Sequence, residues 1–178
     1  MADNYLLFSE VLAHLKPQEE AWLGQQLRPI AVQQDGQTVE LASLDDASAG
    51  ASWVGPRFLQ DKEDYDPAWG ELGFQFALHD DHDTPDGWGR HLWFYAEESG
   101  TPDNVAWLVR KFLKQLRPGQ CWSLTYAATC SKPRVGEFSG GAVFVTAERI
   151  KWQDAHSYIE QERVRFERAR SLKKGKRR

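Results

Sequence analysis

Between Leu72 and His79 apolar positions alternate with small or polar ones. Leu72, Phe74, Phe76 and Leu78 fall on one side, and Gly73, Gln75, Ala77 and His79 on the other. A period of two is that of a strand with one buried face, so the pattern predicts a strand over 72–79. Leu92–Glu97 predicts a second strand, joined to the first by an acidic turn. The period then changes. Val105, Leu108, Val109, Phe112, Leu113 and Leu116 recur at three- and four-residue steps, the stripe of an amphipathic helix over 102–116. Thr101-Pro102-Asp103 supplies its start: a capping residue, a proline at the first position and a carboxylate facing the dipole. Pro118-Gly119 stops it. A strand at Cys121–Thr129, a loop, a strand at Ala142–Thr146 and a final helix from about Gln153 to Arg170 complete the pattern.

The N-terminal region reads as two short helices. Behind Asp3 or Asn4, the apolar residues Tyr5, Leu7, Phe8, Val11, Leu12 and Leu15 fall at helical spacing. Pro17 suits the first turn of a second helix, with Glu19 and Glu20 near its positive end and Trp22, Leu23 and Leu27 on one side. Pro29 ends it, and the Asp35-Gly36 turn leads into a short strand, Thr38–Leu41. Residues 43–70, rich in Ala, Ser, Gly and Asp, predict a long loop tethered by Trp53, Phe58 and Tyr65. The element order gives one α+β domain over 1–170: a four-stranded antiparallel sheet built from two hairpin-plus-helix units, with helices on one face. The two short N-terminal helices precede it, and residues 171–178 form a basic, disordered tail.

A chain of 178 residues, 41% apolar and 27% charged, has the makeup of one globular domain. Its net charge of −4 conceals a strong division. Residues 1–103 hold 20 acidic and 5 basic residues, and residues 104–178 hold 6 acidic and 17 basic ones. A basic half on an acidic body points to contact with something anionic, nucleic acid or the acidic face of a protein. Neither a charged-then-apolar leader nor a run of membrane-spanning length is seen, so a cytoplasmic protein with no membrane contact is expected. Cys121 and Cys130 bracket a strand, which holds them about 30 Å apart, far beyond disulfide reach. Eight Trp are more than a core of this size needs, and surplus indoles serve as interface anchors or stacking platforms.

Three constellations are candidates for function. On the 102–116 helix and just beyond it, Trp107, Arg110, Lys111, Lys114 and Arg117 cluster opposite the apolar stripe. The cations suit phosphates and the indole suits a base. The loop 130–141 adds Lys132 and Arg134 beside three glycines, and the tail adds Lys173, Lys174, Lys176, Arg177 and Arg178. The acidic turn carries His79, Asp81, His82 and Asp83, donor types that bind divalent cations. Its spacing matches neither a calcium loop nor H-E-x-x-H, so no metal and no cofactor are expected.

These features favour a non-catalytic interaction module whose basic C-terminal half docks on an anionic partner, with nucleic acid first. Two rivals follow from the acidic half. One is a protein inhibitor or adaptor that uses residues 61–103 as a nucleic-acid-like decoy. The other is a metal-dependent hydrolase built on the turn 79–91.

Overall fold

A computed structural model of the chain describes residues 3–27, 29–34, 37–40, 52–59, 62, 72–81, 87–132 and 137–175, with the backbone alone at 29–34, 37–40, 52–55, 81 and 169–175. In chain order the strands are β1 (Asn4–Leu12), β2 (Pro29–Gln34), β3 (Gln37–Glu40), β4 (Ser52–Pro56), β5 (Gln75–Asp81), β6 (Gly89–Ala96), β7 (Cys121–Cys130), β8 (Ser139–Thr146) and β9 (Ile150–Asp154). The helices are α1 (Pro17–Leu27), α2 (Pro102–Leu116) and α3 (Ala155–Gly175), and a 3-10 turn spans Arg57–Leu59. The α+β class, the antiparallel sheet, both hairpins and the 102–116 helix agree with the sequence pattern. No helix among the described residues is long and apolar enough to cross a membrane.

The sheet is larger than expected and differently connected. It has six strands in the order β5-β6-β1-β7-β8-β9, all antiparallel. The two anticipated hairpins, β5–β6 and β7–β8, do not touch. β1 lies between them, pairing Phe8 with Ala96 of β6 and with Tyr126 of β7. Residues 4–12 are therefore a central strand and not the first N-terminal helix. The misreading has a physical origin. Leu6, Phe8 and Leu12 face the core while Tyr5, Leu7 and Val11 occupy the other face, so apolar residues on both sides blur the period of two into helical spacing. A helix there would satisfy its own backbone and leave the inner edges of both hairpins unpaired.

Three further strands, β2, β4 and β9, were not foreseen, whereas β3 falls on the strand expected at Thr38–Leu41. β9 follows β8 by a tight turn, with the Thr146 amide donating to the Arg149 carbonyl at 2.9 Å, and extends the sheet before the last helix begins. β2 lies between β3 and β4 in a separate three-stranded sheet. The expected 43–70 loop thus contains β4 and the 3-10 turn. Of its three aromatic tethers, Phe58 is fully buried, Trp53 lies in β4, and Tyr65 falls outside the described residues.

The core forms between one face of the large sheet and α2. Phe94, Leu124, Val143 and Val145 from the sheet meet Val105, Leu108, Val109 and Phe112 from α2, all fully buried. α2 is covered from outside as well. Phe58 and Leu59 of the 3-10 turn are buried in the same cluster, and Trp22 of α1 meets the Phe112 ring edge-on at 5.8 Å. Thr101 holds the N-cap position but makes no side-chain cap bond. Its backbone amide donates instead to Gly73 O at 2.6 Å, tying the start of α2 to the entry of β5. Gly73 has φ +69°, and a Cβ there would collide with the Thr101 side chain, so both conformation and space demand glycine. α3 does not share the sheet face as anticipated. Every described side chain from Ala155 to Arg168 is exposed except half-buried Glu162, so the helix stands clear of the body. Its backbone continues to Gly175, into the stretch expected to be an unstructured tail.

Because Phe112 is fully enclosed, Phe112→Asp should lower unfolding free energy by about 3–5 kcal/mol in urea denaturation, as a carboxylate is buried without a partner. Phe112→Leu should cost much less. An Asp variant as stable as the parent would mean that α2 is not seated in this core.

Candidate functional site

The basic face of α2 is largely committed to structure. The Trp107 indole donates to the Phe58 carbonyl at 3.1 Å, and Lys111 Nζ reaches the same oxygen at 3.5 Å. Both hold the 3-10 turn over the helix, so the indole packs against the core and is not presented to solvent as a free platform. Arg110 lies over the Trp107 ring at 5.6 Å and donates to Glu148 O at 3.2 Å. Only Lys114 of this group is exposed, with no partner among the described residues.

Arg117 makes the most connected polar contact in the molecule's interior. Its Nε and Nη2 donate to the two Glu19 oxygens at 2.8 Å each. Nη1 donates to Ala13 O at 3.1 Å and Nη2 to His14 O at 2.8 Å. The guanidinium also lies 5.1 Å from the Phe112 ring centroid. Glu19, 2% exposed, accepts the Lys16 amide at 2.7 Å as well. One ion pair therefore fixes the turn between β1 and α1, in which His14 takes a left-handed φ of 54°. These hydrogen bonds, Arg117's first, hold the Glu19 carboxyl below its ordinary value of 4.5 despite burial. Charge pattern alone placed Arg117 with the phosphate-binding cations, because its acidic partner lies 98 residues away in sequence.

A second clamp joins α1 to the first hairpin. Arg90 Nε and Nη2 grip Glu20 at 2.6 and 2.7 Å, and Nη1 reaches Asp80 at 3.3 Å. The Arg90 bonds lower the Glu20 pKa. Lys62 pairs with Asp103 and donates to Asn104 Oδ1 at 2.8 Å. So Asp80 and Asp103 of the acidic 61–103 region are neutralised within the molecule, whereas Glu97 and Glu98 are exposed. Of the acidic turn, His82 and Asp83 lie outside the described residues, and Asp81 is described by its backbone alone. His79 stacks on His91 at 5.5 Å, and His91, 3% exposed, has Nδ1 2.8 Å from Gly89 O. Among the described residues no three His, Cys, Asp or Glu side chains gather into a metal-binding group.

Lys132 is exposed beyond the far end of β7, remote from the α2 cations, and Arg134 lies outside the described residues. The fold thus does not draw Lys132 into one patch with the α2 cations. Cys121 and Cys130 sit at opposite ends of β7 as free thiols. The exposed positive charge is concentrated on α3. Asp154 starts this helix by accepting the Ser157 hydroxyl at 2.5 Å and the Ser157 amide at 2.8 Å, and these bonds, the hydroxyl's first, lower its pKa. Arg163, Arg165 and Arg168 all project into solvent. Arg163 pairs with Glu160 at 3.1 Å and Arg165 with Glu162, both solvent-exposed three-residue pairs of the kind that contributes little. Lys173 and Lys174 lie on the backbone of the same helix, and Lys176, Arg177 and Arg178 are outside the described residues.

The face of the sheet away from α2 was not anticipated as a feature. Ser9, Ser123, Thr125, Ala127, Phe144 and Lys151 are exposed along it. Trp93 and Tyr95 stack there at 4.1 Å, and the Trp93 indole donates to Ser9 Oγ at 2.9 Å. Their alternation with Phe94 was visible in the sequence. That no described helix packs above them was not.

Replacing Arg117 with Ala should cost about 3–5 kcal/mol of stability at pH 7, since Glu19 would remain buried without its cation. The Glu19 pKa is depressed in the folded state, so the pair's contribution is complete above pH 4.5 and fades as pH falls through the lowered value. The gap between parent and variant should therefore narrow in acid, as read by urea unfolding at pH 7 and pH 3. A gap independent of pH would place Arg117's role elsewhere.

Comparison of the chain with protein-family models, with curated proteins and with solved structures finds no match.

Proposed function

We propose that this protein is a binding module without chemistry of its own, whose basic C-terminal half docks on an anionic partner, nucleic acid first. One observation carries the reading: α3 stands clear of the body with its arginines in solvent. Residues 163–178 hold nine basic residues against one acidic one, Glu167. Arg163, Arg165 and Arg168 are exposed on a helix whose described side chains are almost all in solvent, so they have no structural duty comparable to that of Arg117, and a helix rich in Arg can follow a phosphate backbone. Lys114 and Lys132 are secondary contacts, each exposed at a different part of the body. Trp107 and Arg117 contribute indirectly, by holding α2 and the turn before α1. Because phosphate pairing carries no base information, binding by such an arm is insensitive to sequence.

Fluorescence anisotropy with labelled single- and double-stranded DNA and RNA tests the reading. Affinity should fall as salt rises, with a log–log slope that shrinks by roughly 0.7–0.9 for each phosphate contact removed. Arg163→Glu with Arg168→Glu should weaken every sequence equally, and removal of residues 171–178 should lower the slope and leave the thermal midpoint unchanged. Lys114→Glu should have a smaller effect. Absence of binding to any of these polymers at low salt contradicts the proposal.

A further inference from the structure

Two exposed surfaces of this chain, both apolar at their centres, carry opposite charge at their edges. The first is the open sheet face. A shallow groove of about 660 Å³ runs along it, floored by Leu7, Trp93, Tyr95, Thr125 and Ala127 and edged by Glu97. Glu97 has no ion-pair partner among the described residues. The second is one side of α3. Tyr158 and Ile159 are each 55% exposed and Phe166 is 68% exposed, and at 100° per residue these three fall within an arc of about 100°. Arg163 and Arg165 flank that arc. Large aromatic side chains left in solvent on a helix whose main contacts are with the last two strands of its own sheet mark a contact surface.

We infer that the open sheet face takes α3 of a second copy of this chain. Three features select this occupant. The helix of 21 residues is about 31 Å long, enough to cross six strands spaced about 4.8 Å apart, which span about 24 Å. Its apolar arc meets an apolar, aromatic floor. Its flanking arginines meet the unpaired Glu97 on a body whose first 103 residues hold 20 acidic and 5 basic residues. In the structure α3 does not fold back over its own open face, whereas exchange between two copies covers both faces at once and closes with two-fold symmetry. The inference rests on the apolar arc and not on nucleic acid, and Arg168, about 80° beyond the edge of that arc, is left free for the polyanion contact.

Light scattering on the size-fractionated full chain, freed of nucleic acid as judged by its absorbance ratio, tests the inference. The expected mass is twice that of the chain. Tyr158→Ser with Phe166→Ser on one side, and separately Phe144→Ser with Leu7→Ser on the other, should each give a monomer with unchanged circular dichroism, because all four side chains are at least partly exposed. Cys121, exposed on the open face, supplies a direct readout. With Cys at position 158, 159 or 166 (Tyr158→Cys, Ile159→Cys or Phe166→Cys), mild oxidation should yield a disulfide-linked dimer for at least one variant, lost in Cys121→Ser. A monomeric parent, a dimer that survives both pairs of substitutions, or no Cys121-dependent crosslink from any variant overturns the inference. Loss of dimerisation with unaltered anisotropy binding would separate this contact from the proposed polyanion contact.

Discussion

Two β-hairpins present two inner edges, and in this fold a single strand satisfies both. β1 pairs with β6 through Phe8–Leu12 and with β7 through Asn4–Phe8, so each half of the strand serves mainly one neighbour and Phe8 serves both. The ladder extends past its ends. The Leu15 amide donates to Arg90 O at 2.7 Å, and the Ser131 amide to Asp3 O at 2.9 Å. Where β1 and β7 part beyond Phe8, side chains replace the missing backbone partners. The Trp122 indole donates to Val11 O at 2.8 Å, and Glu10 Oε1 accepts the Val11 amide at 3.0 Å. Without β1 the core under α2 would lose its floor at the centre, because Phe8 and Leu12 lie between the contributions of the two hairpins.

The buried ion pair follows from that arrangement. A strand that ends in the middle of a sheet must turn sharply to deliver the chain to α1, and here the turn passes through His14 in the left-handed region. Arg117, at the end of α2, gathers the carbonyls of that turn and the Glu19 carboxylate onto one guanidinium. Its planar fork suits this task in a way that a lysine does not. The residue that caps α2 thereby locks the turn between β1 and α1 to the end of that helix.

Elements whose hydrophobic period is clean were legible in the sequence. α2 has one apolar stripe and matches its expected bounds, and the β5–β6 and β7–β8 hairpins alternate clearly. β1 was not legible, because Leu7 and Val11 on the open face and Phe8 and Leu12 on the covered face together mimic a helix. Of the small sheet, β3 falls on the strand expected at Thr38–Leu41, whereas β2 was passed over between Pro29 and the Asp35-Gly36 turn, and β4 was hidden by the polar, Ala- and Gly-rich composition of 43–70. Among candidate site residues, charge pattern picked out cations correctly as charges but not as contacts. Arg117 and Lys111 face inward to partners distant in sequence, while Lys114 and the α3 arginines face outward. Helical phase does not reveal which part of a polar face another segment will cover.

The cations of this molecule therefore differ in what they contact. Arg90 and Arg117, which hold the fold, sit beside acids of the first 103 residues, and Arg163, Arg165 and Arg168 of α3 are exposed on the chain itself. All of this rests on residues 4–12 being the central strand. Hydrogen exchange followed by mass spectrometry or NMR measures that directly. The amides of β1 should exchange among the slowest in the chain, at rates approaching global unfolding and slower than those of the edge strands β5 and β9. Exchange of residues 4–12 as fast as that of a frayed terminus, or local opening of this segment while both hairpins stay protected, would contradict the account.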